Sequence, residues 1–264
     1  MSRNPRIKFY CRSFNKELYL LSRALYEQAG YPCVRLTDQT ADGYFFRMLE
    51  DEECDIAINV DEDCFITHLD AVLALARKVE QEKWINAGCS DAGAGVPRKG
   101  DPLVTNPFFN VFNLHEIRKS WNAYRMIPQL KKDNYKGIEP YYNFFHWLVE
   151  TFPQRTVYLE NLRHQDTITT QLYAEGQLIC LHTWFARFYK ETWLTRLFEG
   201  NDRKDVNHSL RINLIIDQAY RERGLKRPAF GLLDRLDFVI DEMLRWCIKV
   251  PQRVANWPNK LKRK

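Results

Sequence analysis

The sequence predicts an α/β fold in which helices flank a mostly parallel sheet, followed by a helical C-terminal extension. Over the first 90 residues, apolar runs with strand periodicity alternate with amphipathic helical segments in the order β-α-β-α-β-α-β. This order is typical of a parallel sheet covered by helices. After residue 189 the pattern is helical. We therefore expect a first unit over 1–190 and a helical extension over 191–264, in a chain of 264 residues that is long enough to bury a sizeable core.

The elements of the first half follow from local patterns. Residues 7–11 and 33–36 are predicted strands, separated by a helix over 15–29 that stops at Gly30. A short helix over 44–49 precedes an apolar strand over 56–60, in which Ile56, Ile58 and Val60 alternate with smaller or polar residues. A helix over 69–81 and a strand over 84–88 complete this half.

The second half contains fewer regular patterns. A loop rich in glycine and proline spans 90–106, and loops of this length in compact domains are often functional. A strand over 107–114, an aromatic helix over 141–151 and a hairpin over 169–184 with its turn at 175–176 are predicted next. The segment 234–249 is an amphipathic helix. We expect its apolar face to pack on the body of the protein; this face comprises Leu236, Val239, Ile240, Met243, Leu244 and Cys247.

A short acidic segment carries the strongest functional signal. The strand 56–60 ends in Asp61-Glu62-Asp63, and a helix begins a few residues later. Ligands collect at the carboxyl ends of strands in such sheets, and side chains at i and i+2 of extended chain point to the same side. Asp61 and Asp63 are therefore candidate ligands of one hard divalent cation, which prefers oxygen atoms. On spacing alone, a solvated turn remains an alternative.

The composition of the chain restricts its expected cellular location and its binding partners. The seven cysteines are scattered without a Cys-x-x-Cys pair, and no apolar run approaches the roughly 18 residues of a membrane span. We therefore expect a cytoplasmic protein with most thiols in its core. The chain has a net charge of +5. Residues 245–264 contain seven basic residues and no acid, so the rest of the chain has a net charge of −2. This basic tail is either a solvated end, a peripheral contact with anionic lipid at the inner face of a membrane, or a contact with a phosphorylated acceptor.

Several common binding motifs are absent from the sequence. It contains neither Gly-x-x-x-x-Gly-Lys-Ser/Thr nor a Gly-x-Gly-x-x-Gly after the first strand, which disfavours P-loop ATPases and dinucleotide dehydrogenases. A nucleic-acid partner is also disfavoured, because the positive charge is confined to the tail and no recognition motif accompanies it. A metal held by Asp61 and Asp63 would bind a diphosphate instead.

These features together resemble a known superfamily. A strand-helix-strand-helix half ending in hydrophobic-Asp-x-Asp is similar to the GT-A fold of nucleotide-sugar glycosyltransferases, a Rossmann-type mixed sheet flanked by helices. The resemblance includes the Asp-Ala-Gly-Ala-Gly loop at 91–95, the Asn-Pro-Phe-Phe-Asn strand at 106–110 and a late histidine in Leu-His-Thr-Trp. It spans about residues 5–190 and makes 1–190 the expected catalytic domain, which binds the nucleotide sugar.

The resemblance implies an activity and a metal. It implies a hexosyltransferase-like enzyme that moves a sugar from a nucleoside-diphosphate donor to a saccharide or lipid-linked acceptor, as in surface polysaccharide or glycolipid synthesis. Asp61 and Asp63 would bind Mn²⁺ or Mg²⁺ together with the donor diphosphate. His182 would complete the metal shell. Its structural alternative is a strand histidine packed beside Trp184.

The resemblance also implies roles for residues outside the acidic segment. Asp91 would hydrogen-bond to donor-sugar hydroxyls, and the small Gly93 would let the sugar approach the backbone. Arg98 would contact the diphosphate or an anionic acceptor. Asp166 is the first candidate for the carboxylate that takes the acceptor proton, and Glu160 is the second. For these residues a capped turn, a solvated cation or a surface acid remains an alternative.

Two other classes of function remain open. A domain of this fold could bind a nucleotide without turning it over. A phosphatase of the haloacid-dehalogenase type also uses Asp-x-Asp at a strand end, normally on its first strand and with Thr or Val two places later. Here the motif follows the third predicted strand, and the corresponding position is Phe65.

Overall fold

Nine strands form one mixed sheet in the order β2-β1-β3-β6-β5-β7-β8-β9-β4. The computed structural model describes residues 5–37, 42–98, 100–130, 139–186, 189–190 and 208–261. The strands are β1 (Ile7–Arg12), β2 (Cys33–Leu36), β3 (Ile56–Asp61), β4 (Cys64–Ile66), β5 (Asn86–Ser90), β6 (Thr105–Asn113), β7 (Thr156–Arg163), β8 (Thr169–Ala174) and β9 (Gln177–Thr183). The helices are α1 (Lys16–Arg23), α2 (Gly43–Glu50), α3 (Leu69–Gln81), α4 (Leu114–Arg118), α5 (Ala123–Leu130), α6 (Tyr142–Thr151), α7 (His208–Glu222) and α8 (Leu232–Leu261).

Alternation along the strands divides the core between the two faces of the sheet. In β1, Phe9 belongs to one apolar cluster and Tyr10 to the other, as expected from the period of two. Helices α1, α3 and α7 cover the first face, while α2, α4 and α6 cover the second. This arrangement confirms the predicted fold class, a large mixed sheet with flanking helices and a helical C-terminal part. The expectation that the sheet is mostly parallel is wrong, because five of its eight neighbouring strand pairs are antiparallel.

The sheet is parallel on one side and antiparallel at its centre. β1 pairs with β2 and β3 in parallel, and β5 pairs with β7 in parallel. β6 lies antiparallel between β3 and β5. Between β5 and β6, the described residues 91–98 and 100–104 contain no helix, and a connection without a crossover helix is compatible with an antiparallel neighbour.

The connection between β3 and β4 brings distant parts of the sheet together. These strands lie at the third and last positions of the strand order, yet only Glu62 and Asp63 separate them in sequence. Two residues span less than about 11 Å from the end of one strand to the start of the next. The sheet must therefore curl until its β4 edge returns to the carboxyl end of β3.

The two C-terminal helices differ in their packing. α7 is buried through Ile212, Ile215 and Ile216, which join the core cluster on the α1–α3 face. On α8, all six residues of the predicted apolar face are exposed, so the expectation that this face packs on the body is wrong. The cause is visible on the opposite side of α8, where Asp237 and Asp241 pair with cations of the body.

Two further properties concern the thiols and the helices. Five of the seven cysteines are buried, as predicted for small core residues: Cys11, Cys54, Cys64, Cys89 and Cys180. In the part of the chain that the structure describes, no helix has both the length and the apolar character needed to cross a bilayer.

Candidate metal centre

The first half of the site lies where β1 and β3 end. All six residues of β3 are buried, including Asp61, which is 4% exposed. The parallel register places Arg12, the last residue of β1, beside Asp61. The Arg12 guanidinium donates a hydrogen bond to Oδ2 of Asp61 and lies 5.2 Å from the ring centroid of Tyr44. The guanidinium group of Arg12 thus engages one oxygen of the Asp61 carboxylate.

The second half of the site arrives on the hairpin formed by β8 and β9. β9 pairs with β4 so that His182 lies opposite Cys64, the residue after Asp63. The main-chain N–H of Thr183 donates to the carbonyl oxygen of Asp63 over 2.9 Å. The antiparallel register therefore places the histidine against the acidic turn, which no pattern within either segment specifies.

The three predicted metal ligands come together. Asp61, Asp63 and His182 each offer one ligand atom within 4.8 Å of the other two. His182 Nε2 lies 3.4 Å from Oδ1 of Asp63, whose side chain is 14% exposed. Among the described residues, Oδ1 of Asp61 and Nδ1 of His182 are buried and have no hydrogen-bond partner. Unsatisfied buried acceptors are costly, so this donor set fits a divalent cation.

Burial dominates the electrostatics of the acidic turn. It raises the pKa of Asp61 to about 6, although the nearby charge of Arg12 opposes the rise. It also raises the pKa of Glu62 to about 7, although a main-chain hydrogen bond from Asn15 opposes the rise. A bound cation would favour the charged form of Asp61, because an opposite charge nearby lowers the pKa of a carboxylic acid.

Glu62 has a structural role that the sequence patterns did not predict. Its Oε2 accepts hydrogen bonds from the main-chain N–H groups of Phe14, at 2.8 Å, and Asn15, at 2.5 Å. Asn15 is the N-cap of α1 and accepts a bond from the Leu18 N–H. Glu62 therefore fixes the β1–α1 loop beside the acidic turn, while the aspartates on either side of it belong to the candidate metal centre.

Aromatic rings hold the imidazole of His182. Phe108 of β6 stacks on it with ring centroids 4.2 Å apart and planes 4° from parallel. Trp184 meets it edge-on at 4.7 Å and 70°. Trp184 in turn donates from Nε1 to Oγ1 of Thr170 over 2.9 Å. The histidine therefore has little freedom to rotate, which favours a pre-positioned metal ligand.

The loop after β5 is built around the carboxylate of Asp91. This side chain is fully buried and accepts bonds from Arg98, at 3.0 and 3.2 Å, from Asn106, at 2.5 Å, and from the hydroxyl of Tyr142. Arg98 also lies over the ring of Trp184, with 5.6 Å to the centroid. A chain of contacts therefore runs from Asp91 through Arg98 and Trp184 to His182.

The same loop is docked tightly on β7. A Cβ at Gly93 would lie 2.3 Å from Oδ1 of Asn161, and one at Gly95 would lie 2.6 Å from the carbonyl oxygen of Leu162. The Gly95 N–H donates to Oδ1 of Asn161 over 2.8 Å. Gly95 is required by this close approach, because its Cβ would meet the main chain of β7, whereas a Cβ at Gly93 would displace the side chain of Asn161. The contact of Gly93 with a sugar stays a prediction.

The two candidate bases lie in different environments. Asp166 accepts bonds from the main chain of Ile168 and from the main chain and hydroxyl of Thr169. Burial raises the pKa of Asp166, but the bonds from Thr169 and the charge of Arg211 outweigh it, so the pKa lies below its ordinary value. Glu160 is exposed on β7. Neither belongs to the metal-ligand group, and their proposed roles stay predictions.

Comparison with protein-family models and with curated proteins finds no match for the sequence. The solved structures that are similar to the chain include the following two. One is a glycosyltransferase involved in the glycosylation of the major capsid of PBCV-1, with 13% identity over 59% of this chain and 82% of that chain, and a TM-score of 0.42. The other is A197 from STIV, with 15% identity over 67% of this chain and 93% of that chain, and a TM-score of 0.39.

Proposed function

We propose that this protein is a metal-dependent glycosyltransferase that moves a sugar from a nucleoside-diphosphate donor to a hydroxyl acceptor. One observation carries the proposal. Two aspartates and a histidine offer ligand atoms within 4.8 Å of one another at the carboxyl end of β3. That position is where ligands bind in sheets of this kind.

The donor set favours particular metals. Asp61 and Asp63 supply hard oxygen atoms and His182 supplies an imidazole nitrogen, a mixture that suits Mn²⁺ better than Mg²⁺. When bound, such a cation would supply Lewis-acid stabilisation of the leaving nucleoside diphosphate. Its binding by these three residues is the first testable part of the proposal.

The surrounding residues orient these ligands. Arg12 engages Oδ2 of Asp61, which leaves the buried Oδ1 free to bind a cation. Thr183 fixes the main chain of Asp63, and Phe108 fixes the ring of His182. Such preorganisation lowers the cost of assembling the site when the donor arrives.

Arg98 and Asp91 are proposed to act on the donor together. Arg98 is partly exposed and lies beside Trp184, which contacts His182. We assign Arg98 to the diphosphate or to an anionic acceptor. Because the oxygens of Asp91 already accept bonds from protein donors, its contribution to a sugar contact would pass through Arg98 or require these bonds to rearrange.

The acceptor proton requires a base if the reaction inverts the anomeric configuration. Asp166 remains the first candidate, since Arg211 connects it to the end of β9 by donating both to Asp166 and to the carbonyl of Trp184. Its lowered pKa makes it a weak base. Glu160 remains the second candidate.

A donor screen tests the proposal. The protein is incubated with sugar derivatives of UDP, GDP and CDP, with Mn²⁺ or after chelation, and free nucleoside diphosphate is measured. We expect release from one nucleotide class, dependent on the cation. Calorimetry with the free nucleotides should detect binding of the same class only when Mn²⁺ is present.

Matched variants separate the metal centre from general effects of charge. Asp63→Asn and His182→Gln should abolish cation-dependent binding, whereas Asp70→Asn and His115→Gln, which alter exposed residues of the same types, should not. Binding without release or transfer would favour a nucleotide-binding module without turnover. Turnover that persists unchanged in Asp63→Asn would refute the metal role.

A further inference from the structure

Helix α8 presents a continuous apolar face to solvent. Its large apolar side chains are between 51% and 80% exposed: Leu232, Leu233, Leu236, Val239, Ile240, Met243 and Leu244. At about 100° per residue these positions fall within an arc of about 140° on one side of the helix. Contiguous exposed apolar faces of this kind mark interaction sites in proteins.

The polar side of α8 explains why the apolar side points outward. Asp237 pairs with Lys16 over 2.7 Å, and Asp241 pairs with Arg35 over 2.7 and 3.0 Å. Arg245 joins the second pair at 3.0 Å. Lys16 and Arg35 of the body thus form ion pairs with two acids of α8. The apolar face of α8 is left without a partner among the described residues.

We propose that α8 lies in the surface of an anionic lipid bilayer, with this apolar face inserted between the headgroups. Amphipathic helices with one apolar and one charged face bind in the headgroup region of a bilayer, and their affinity for anionic lipid grows with their basic charge. From 245 to 264 the sequence has seven lysines and arginines and no acid. Each basic residue near an anionic surface adds about 1 kcal/mol of attraction.

Charge distinguishes the bilayer from the main alternative occupant, a second copy of the chain. A second copy would bring its own seven basic residues from the same segment and no additional acid there. Like charges brought together across an interface are unfavourable. An anionic lipid surface is complementary to the apolar face and to the basic segment at once.

The position of α8 relates this surface to the metal centre. Arg35, which holds Asp241, also donates to Oγ of Ser13 over 3.0 Å, in the β1–α1 loop. Glu62 caps the same loop. Docking through α8 would therefore present the candidate metal centre close to the membrane, and if the proposed transferase function holds, the acceptor is a lipid-linked hydroxyl.

Vesicle flotation tests the docking surface without reference to catalysis. The full chain is mixed with vesicles of phosphatidylcholine alone, or of phosphatidylcholine and phosphatidylserine in equal amounts, in the presence of a chelator. We expect binding to the mixed vesicles at least tenfold tighter than to phosphatidylcholine alone. The double variant Leu236→Ser/Met243→Ser should lower that affinity about a hundredfold, with an unchanged unfolding midpoint because both residues are exposed.

A matched control uses two leucines of similar exposure on another helix. Leu210 and Leu214 of α7 are 59% and 60% exposed, and Leu210→Ser/Leu214→Ser should bind the mixed vesicles as the parent protein does. Equal loss in both double variants, or none in the α8 variant, would overturn the proposal. The proposal would also be overturned if the parent protein did not bind vesicles and instead formed a dimer that the α8 double variant abolished. Failure of the donor screen would leave this result intact, because no metal or sugar nucleotide takes part.

Discussion

The raised pKa values of Asp61 and Glu62 predict an unusual dependence of stability on pH. Each carboxyl group keeps its proton to a higher pH in the folded chain than in the unfolded chain, from ordinary values of 3.8 and 4.5 to about 6 and about 7. Their contribution to stability is therefore present at low pH and is lost as pH rises through those values. Without metal, the free energy of unfolding should fall between pH 5 and pH 8.

The size of this fall follows from the two folded-state values. Stability changes by about 1.4 kcal/mol for each pH unit over which one proton is held only by the folded state. Starting from pH 5, Asp61 contributes a loss of about 1 kcal/mol up to its pKa of about 6. Glu62 contributes a loss of about 3 kcal/mol up to its pKa of about 7. The metal-free protein should thus lose about 4 kcal/mol in total.

Urea unfolding at four pH values from 5 to 8 measures the effect, with a chelator present. In Asp61→Asn, the fall in the free energy of unfolding up to about pH 6 should be smaller by the contribution of Asp61. In Glu62→Gln, the fall up to about pH 7 should be smaller by the larger contribution of Glu62. Asp70→Asn, which alters an exposed acid, should keep the parent slope. Saturating Mn²⁺ should reduce the fall, since the cation stabilises the charged form of Asp61 and adds about 2.7 kcal/mol at a hundred times its Kd. A flat or rising parent profile, or the parent slope in Asp61→Asn, would refute the reasoning.

Four further outcomes test the site. Calorimetry should find that the Kd for Mn²⁺ rises about tenfold per pH unit below about pH 6, because the metal must displace a proton from Asp61; an affinity independent of pH would contradict this. Phe108→Leu should weaken Mn²⁺ binding about tenfold by freeing the His182 ring, whereas Phe109→Leu should lower stability by a similar amount, about 1 kcal/mol, and leave the affinity unchanged. Asp166→Asn should cost about 1–2 kcal/mol in urea unfolding through its turn; loss of transfer at full stability would instead support its role as the base. Gly95→Ala places a Cβ 2.6 Å from a main-chain oxygen of β7 and should lower stability by about 1–3 kcal/mol, which thermal unfolding would detect.

Patterns within a single segment predict the elements whose boundaries are marked by strong signals. The helix over 69–81 and the hairpin around 175–176 are confirmed, the latter with Glu175 and Gly176 at positive φ. The patterns missed β7, in which half of the residues are exposed and apolar alternation is lacking, and β4, which has three residues. The long predicted helix over 15–29 ends early, at Arg23, and a short 3₁₀ turn at Glu27–Ala29 follows. Strand order and direction depend on contacts between segments, so the antiparallel β6 could not be predicted.

The same distinction between patterns within one segment and contacts between segments applies to the candidate site. The spacing of two predicts that Asp61 and Asp63 act together, and the structure brings both to His182. Arg12 and Phe108 were missed, because the contact of Arg12 depends on which strand neighbours β3, and that of Phe108 depends on how the curled sheet brings β6 against β9. A local signal for Asp166 was available, since an aspartate that accepts from the N–H groups two and three residues later forms a common turn. Roles that depend on a donor or an acceptor stay predictions.

The two-residue connection between β3 and β4 has a consequence for the order in which the protein folds. His182 follows Asp63 by 119 residues in the sequence, and contacts at such sequence separation form slowly because long loops must close first. During synthesis the aspartates emerge well before the hairpin that carries the histidine. We therefore expect any cation affinity to appear only when the last strand pair closes the curl of the sheet, so that Mn²⁺ binding, if the proposed metal centre holds, would serve as a kinetic probe of that final step.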